Sequence, residues 1–181
     1  MPVESLRGKL LVAAPPLVDP NFDRTVVLML EHSDDGAIGL VLNRPSETEL
    51  DDVFPEWRSI ASPPGVVFVG GPVSPDAVIA LGRGGAVSEG FLDIDGDLGS
   101  VDLARDPLDV GLERLRVFAG YAGWGPGQLE GEVEQGAWFV VTTERADPFA
   151  DEPMHLWRSV LRRQKNRVAM FANYPDEVSS N

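Results

Sequence analysis

The hydrophobic and polar positions of the chain fall into short runs separated by Pro, Gly and Asp/Asn clusters. Thr25–His32 (TVVLMLEH) carries an unbroken apolar run from Val26 to Leu30. A strand with one wet face would alternate, so this run predicts a central strand covered on both sides. Ser33-Asp34-Asp35-Gly36 then predicts a hairpin loop, with a glycine free to take positive φ. Ala37–Leu42 returns as a second buried strand, ended by Asn43-Arg44-Pro45. Ahead of this hairpin, Lys9–Ala14 predicts a short buried strand stopped by Pro15 and Pro16, and Asp19–Arg24 a polar turn.

Further strands are predicted at Val66–Val69, running into Gly70-Gly71-Pro72, and at Asp76–Leu81, Phe91–Ile94, Arg114–Tyr121 and Trp138–Thr142. Asp95-Gly96 is a two-residue hairpin signal returning through Leu98–Leu103. Helical segments are predicted within Glu49–Ile60, interrupted at Pro55, at Asp106–Glu113 and at Gln128–Glu134. The clearest helix is Glu152–Lys165, where Met154, Trp157, Val160 and Leu161 form one apolar stripe. Gly120–Gly127 reads as a glycine-rich loop, and the tail from Asn173 as frayed. Hairpins in succession, with helices between and after them, predict a single α+β domain over residues 1–181.

Composition narrows the function classes. No apolar run approaches the roughly 20 residues of a membrane-spanning helix. Met1–Leu11 has neither a long apolar region nor a cleavage signal, so a cytoplasmic protein without membrane attachment is expected. The absence of cysteine excludes disulfides, thiolate metal sites and cysteine nucleophiles. The two histidines, His32 and His155, have no metal-ligand spacing, so neither metal nor cofactor is expected. A formal net charge of −14 and a pI near 4.4 set the chain against a phosphate backbone. Arg158, Arg162, Arg163, Lys165 and Arg167 form the one basic cluster, read as a solvated helix face, and no strong duplex DNA binding is expected.

Familiar chemical motifs fail on inspection. Gly82-Arg83-Gly84-Gly85 lacks the Gly-Lys-Ser/Thr of a phosphate loop, and Val87 stands where a dinucleotide fingerprint needs its third glycine. Asp93, Asp95 and Asp97 open like a calcium loop, but Leu98 and Ala104 occupy its sixth and twelfth positions. Three constellations remain. His32 shares a predicted strand face with Val26, Leu28 and Leu30, and is either a hydrogen-bonded core histidine or a base. Antiparallel pairing would bring Arg24 together with Asn43 and Arg44, either as a turn network or as an anion site built on planar guanidiniums. Around Tyr121, Trp124 and Gln128, the glycines of 120–127 would permit close backbone approach. What approaches is either a ligand or partner, or the chain's own Gly70-Gly71-Pro72 turn.

Taken in order, DPNFDRTVVLMLEH, GAIGLVLNRP, VGGPV, FAGYAGWGPGQLEGE and the later Gly136-Ala137-Trp138 and Leu156-Trp157 resemble the YqgE/AlgH family over nearly the whole chain. The resemblance implies a bacterial protein whose mostly antiparallel sheet is branched, partly barrel-like and flanked by helices. It marks Asp19, Asn21, Arg24, His32, Asn43, Arg44, Gly70, Gly71, Tyr121, Trp124 and Gln128 without giving them roles. Some members carry the label of transcriptional regulator, yet this chain has no helix-turn-helix signal and an acidic balance. The leading expectation is a binding or regulatory protein for an anionic small molecule or a protein partner. Its site would join Arg24, Asn43 and Arg44 to the Gly-Trp-Gly segment. The alternative is a hydrolase or transferase acting on a phosphorylated or nucleotide-like compound, with His32 as base and Arg24 or Arg44 as clamp.

Overall fold

The apolar run of the first hairpin lies at the middle of the molecule, where residues 25–29 are fully shielded from water. The computed structural model describes residues 4–15, 22–84, 90–165 and 167–173. Strands β1 (Leu10–Ala13), β2 (Val26–Ser33) and β3 (Gly36–Val41) pair antiparallel, and β10 (Trp138–Val141) closes on the outer side of β1. The other half holds β4 (Pro45–Glu49), β5 (Val66–Val69), β6 (Val73–Arg83), β7 (Phe91–Asp95) and β8 (Leu98–Val101). Strand β9 (Arg114–Trp124) joins the halves, giving the order β10-β1-β2-β3-β9-β6-β8-β7, with β4 and β5 branching off. The sheet curls into a half-barrel, and the fold is α+β.

Alternation along β2 explains why both its faces are dry. Val26 and Leu28 pack with Trp157, Val160 and Leu161 of helix α4 (Leu156–Arg162). Val27 and Met29 pack with Trp124, Trp138 and Leu129, the last on helix α3 (Gln128–Glu134). A third cluster lies under two single-turn helices, α1 (Leu50–Val53) and α2 (Pro107–Val110), around Trp57, Leu115 and Val117.

The branch point is a backbone crossing. β5 runs parallel to β9 at Phe68↔Phe118 and Val69↔Ala119, after which β3 takes over at Gly39↔Ala122. Gly70 sits in the fork, its N–H donating to Ala119 O and its carbonyl accepting from Val41 N–H. A Cβ on Gly70 would lie 2.3 Å from Gly120 O, one on Gly71 2.2 Å from Tyr121 C and O, and one on Gly120 2.5 Å from Gly71 O. These three positions therefore need glycine for close approach, and Gly120 also has φ +77°.

Several elements differ from expectation. Gly120–Trp124 is strand and not loop, since β9 runs on to pair with β3. The last helix is shorter than Glu152–Lys165: Pro153–His155 forms a 3₁₀ turn before α4, and Met154 is exposed, so it leaves the apolar stripe. Pro45 begins β4, an edge strand, where proline costs no ladder bond. Asp106 caps α2 by accepting from Leu108 N–H, and Gly111 in the left-handed region ends it ahead of Glu113. Among the described residues no helix is long and apolar enough to cross a membrane.

Candidate functional site

The end of the β2–β3 hairpin is held by one side chain. Asn43 Oδ1 accepts from Val26 N–H at 3.0 Å, while its Nδ2 donates to Arg24 O at 2.9 Å. This clamp fixes Arg24 at φ +53°, a left-handed conformation that a non-glycine residue rarely holds without external support. Arg44 Nη2 donates to Asp23 O at 3.1 Å, binding the same turn from the other strand. From α4, Trp157 is fixed by its Nε1–H donating to Ala13 O at 2.9 Å. The Arg24 guanidinium lies 5.0 Å from the Trp157 ring centroid and that of Arg158 5.5 Å, both within cation–π range.

These residues surround a concavity of about 530 Å³, within the range of small-molecule sites. Arg24, Arg44 and Arg158 bring guanidiniums to it, Asp23 a carboxylate, and Pro45, Val69 and Met154 apolar wall. The structure thus gathers Arg24, Asn43 and Arg44 and, besides their neighbours Asp23 and Pro45 and Val69 of β5, adds Met154, Trp157 and Arg158 from the α4 segment. Sequence spacing gives no sign of that addition, because the docking of α4 against β1 and β2 creates it. Asn21 and Asp19 lie outside the described residues.

Tyr121, Trp124 and Gln128 are elsewhere. Tyr121 and Trp124 line a separate depression with Glu31, Ser33 and Gly36, at the opposite end of β3 from Asn43 and Arg44. Trp124 is buried, stacks on Phe22 at 6.2 Å and meets Trp138 edge-on at 6.1 Å. Trp124 and Trp138 both donate their indole N–H to Glu132 Oε1 at 3.0 Å, and Gln128 Nε2 donates to Glu132 Oε2 at 3.0 Å. Gln128 Oε1 accepts from Gly125 N–H at 3.0 Å, closing the turn into α3. The conformational cost of this glycine-rich segment therefore goes to the crossing with Gly70 and Gly71 and to an aromatic cluster tied to Glu132.

His32 lies on the other face from the one expected. A β-bulge between Met29 and Glu31 adds a residue to β2, so His32 pairs with Ala37 and shares the side of Val27 and Met29. It is buried, and both ring nitrogens are engaged. Nδ1 accepts from Leu6 N–H at 3.0 Å, which places the ring proton on Nε2, donating to Glu130 Oε1. Val26 and His32 are separated along β2 by roughly 20 Å at about 3.3 Å per residue, so the histidine and the arginine pocket occupy opposite ends of the strand.

Other charges are spent on the fold. Burial pushes the Arg116 guanidinium down to about 10; it donates to Ala150 O at 3.0 Å and Pro63 O at 2.6 Å and lies 4.3 Å over Phe68. Arg163 forks onto Asp147 at 2.8 and 2.5 Å, which removes it from any basic surface shared with Arg162. Asp97, from the acidic hairpin, bonds Arg83 at 2.6 Å and Arg145 at 3.2 Å. Among the described residues, no cluster of His and carboxylates could hold a metal ion.

A profile described as AlgH-like matches residues 10–169. A UPF0301 protein of Streptomyces avermitilis is 51% identical, with 99% of this chain and 97% of that protein covered. One from Nocardia farcinica is 46% identical over 96% of this chain and 85% of its own. A crystal structure of a Corynebacterium diphtheriae protein superposes with a TM-score of 0.86 at 31% identity, covering 93% of this chain and 92% of that one. The solution structure of the AlgH protein from Pseudomonas aeruginosa does so with a TM-score of 0.70, also at 31% identity, covering 94% of each chain. Near-complete coverage in sequence and in fold leads to one conclusion: the chain belongs to the AlgH-like family.

Proposed function

We propose that the protein binds a small anion in the pocket between the hairpin end and α4, as a binding or regulatory protein. The observation that carries this reading is the convergence of Arg24, Arg44 and Arg158 on one concavity, in a chain whose net charge is −14. An acidic protein that gathers three guanidiniums at one concavity, two of them against a buried indole, concentrates there the donors an oxyanion accepts from. Guanidinium forks suit oxyanions by charge and by planar geometry. The left-handed Arg24 adds support, since strained backbone of this kind concentrates at ligand clamps. The hydrolase or transferase alternative gives the base role to His32, which is committed to Leu6 and Glu130 at the far end of β2.

Calorimetric titration with inorganic phosphate tests the reading. Binding is expected in low-salt buffer, weakened about tenfold by Arg44→Gln or Arg158→Gln, with each variant as thermally stable as the parent to within a few degrees. Heats indistinguishable from dilution for phosphate, phenyl phosphate and benzoate alike would remove the anion site.

A further inference from the structure

The arginine pocket has a second half that a bare anion would leave uncovered. Val69 is 44% exposed and Met154 76% exposed; both line this pocket, together with Pro45. They come from different elements. Val69 ends β5, where its N–H donates to Arg44 O at 2.8 Å, and Met154 lies on the 3₁₀ turn ahead of α4. Single exposed apolar side chains are ordinary. Here a valine, a methionine and a proline face the same cavity of about 530 Å³ as three arginines. A methionine thioether is a polarizable, adaptable surface for an apolar guest.

Resting on the anion-binding reading, we infer that the ligand is an organic phosphate monoester with a compact apolar body. The three guanidiniums match the three terminal oxygens of a phosphate monoester better than the two of a carboxylate. Such a monoester carries close to two negative charges at pH 7. With the phosphate among Arg24, Arg44 and Arg158, the ester oxygen points along the wall toward Val69, Pro45 and Met154. An aromatic or short aliphatic group attached there covers that wall. Trp157 contributes indirectly, its ring lying against both the Arg24 and Arg158 guanidiniums, while Arg158 Nη1 also donates to Ala172 O at 2.5 Å. Among the described lining residues Asp23 is the one carboxylate.

The test compares inorganic phosphate, phenyl phosphate and benzoate by calorimetry, on the full chain and on two variants. Phenyl phosphate is expected to bind about tenfold more tightly than phosphate through the apolar area it buries, and benzoate at least tenfold more weakly than phenyl phosphate. The double variant Val69→Ser, Met154→Ser should bring phenyl phosphate to within about threefold of phosphate, since it removes apolar wall. Arg44→Gln should weaken both phosphates together. Equal affinity for phosphate and phenyl phosphate overturns the apolar body while the anion site stands. Benzoate binding as tightly as phenyl phosphate overturns the phosphate head. An unchanged preference in the double variant overturns the assigned wall.

Discussion

At the scale of single residues, the structure separates side chains that build the fold from those that line the arginine pocket. Gly120 belongs to the first group twice over, through its φ of +77° and through the 2.5 Å that would separate a new Cβ from Gly71 O. Gly120→Ala is expected to cost about 2–4 kcal/mol, a Tm fall of roughly 5–15 °C for a chain of this size. Gly127 gives the control, with φ +76° but nothing within 4 Å of a new Cβ. Gly127→Ala should cost only about 1 kcal/mol. Equal losses by calorimetry would show that backbone conformation alone, and not the crossing with Gly71, sets the requirement. His32 is the second test. His32→Ala leaves Leu6 N–H and Glu130 without their partner, which should cost about 2–4 kcal/mol with no change in phosphate affinity. Loss of phosphate binding with unchanged Tm would place His32 in the ligand site instead.

At the scale of elements, α3 is held less by its own turns than by what Glu132 accepts. One carboxylate takes both indole N–H groups and the Gln128 amide. Glu132→Ala is expected to lower stability by about 2–4 kcal/mol and to shift tryptophan emission to the red, because two part-buried donors lose their acceptor. Glu132→Gln keeps one acceptor oxygen and should fall between. Wild-type emission and Tm in Glu132→Ala would show that ring packing alone carries the cluster. Elements defined by local pattern were legible in the chain: the apolar run of β2, the Asp95-Gly96 hairpin between β7 and β8, and the β2–β3 return that gathers Arg24, Asn43 and Arg44. Elements defined by distant partners were not. The glycines of 120–124 read as loop because their pairing with β3 lies far away in sequence, although the Gly70-Gly71-Pro72 turn that Gly120 crosses is one of the two partners expected for them. The bulge at Met29/Glu31 moved His32 across the sheet, since one inserted residue inverts every later position. Part of the arginine pocket was hidden for the same reason, Trp157 and Arg158 reaching it only through the docking of α4.

Over the whole molecule, the half-barrel is completed by side chains and not by a further ladder. Arg7 donates to Leu30 O at 3.2 Å and Asp93 O at 2.8 Å, and Asp97 ties Arg83 of β6 to Arg145 beyond β10. Against the opposing effect of burial, the Arg145 and Arg83 guanidiniums hold the Asp97 carboxyl below the usual carboxylate range. A folded-state pKa below the unfolded one stabilises above the unfolded value, near 3.9, and is lost as pH falls through the folded value. Asp97→Asn should therefore lower Tm at pH 7 and flatten its decline below pH 4; an unchanged acid limb would exclude this clamp from acid unfolding. The global charge leads to the last expectation, weak duplex DNA binding. The basic cluster after α4 is not one surface. Arg163 is spent on Asp147, and Arg158 faces the pocket beside Trp157. That leaves Arg162, Lys165 and Arg167 as exposed cations to displace counterions, against a net charge of −14. Three phosphate contacts give a log–log salt slope no steeper than about −3, and the opposing field reduces affinity further. A fluorescence-anisotropy titration at physiological salt should yield a Kd weaker than about 100 µM, similar for unrelated sequences. A sub-micromolar, sequence-dependent Kd with a steeper slope would require a basic face that these three cations cannot form, and would restore direct DNA reading to a chain that otherwise repels it.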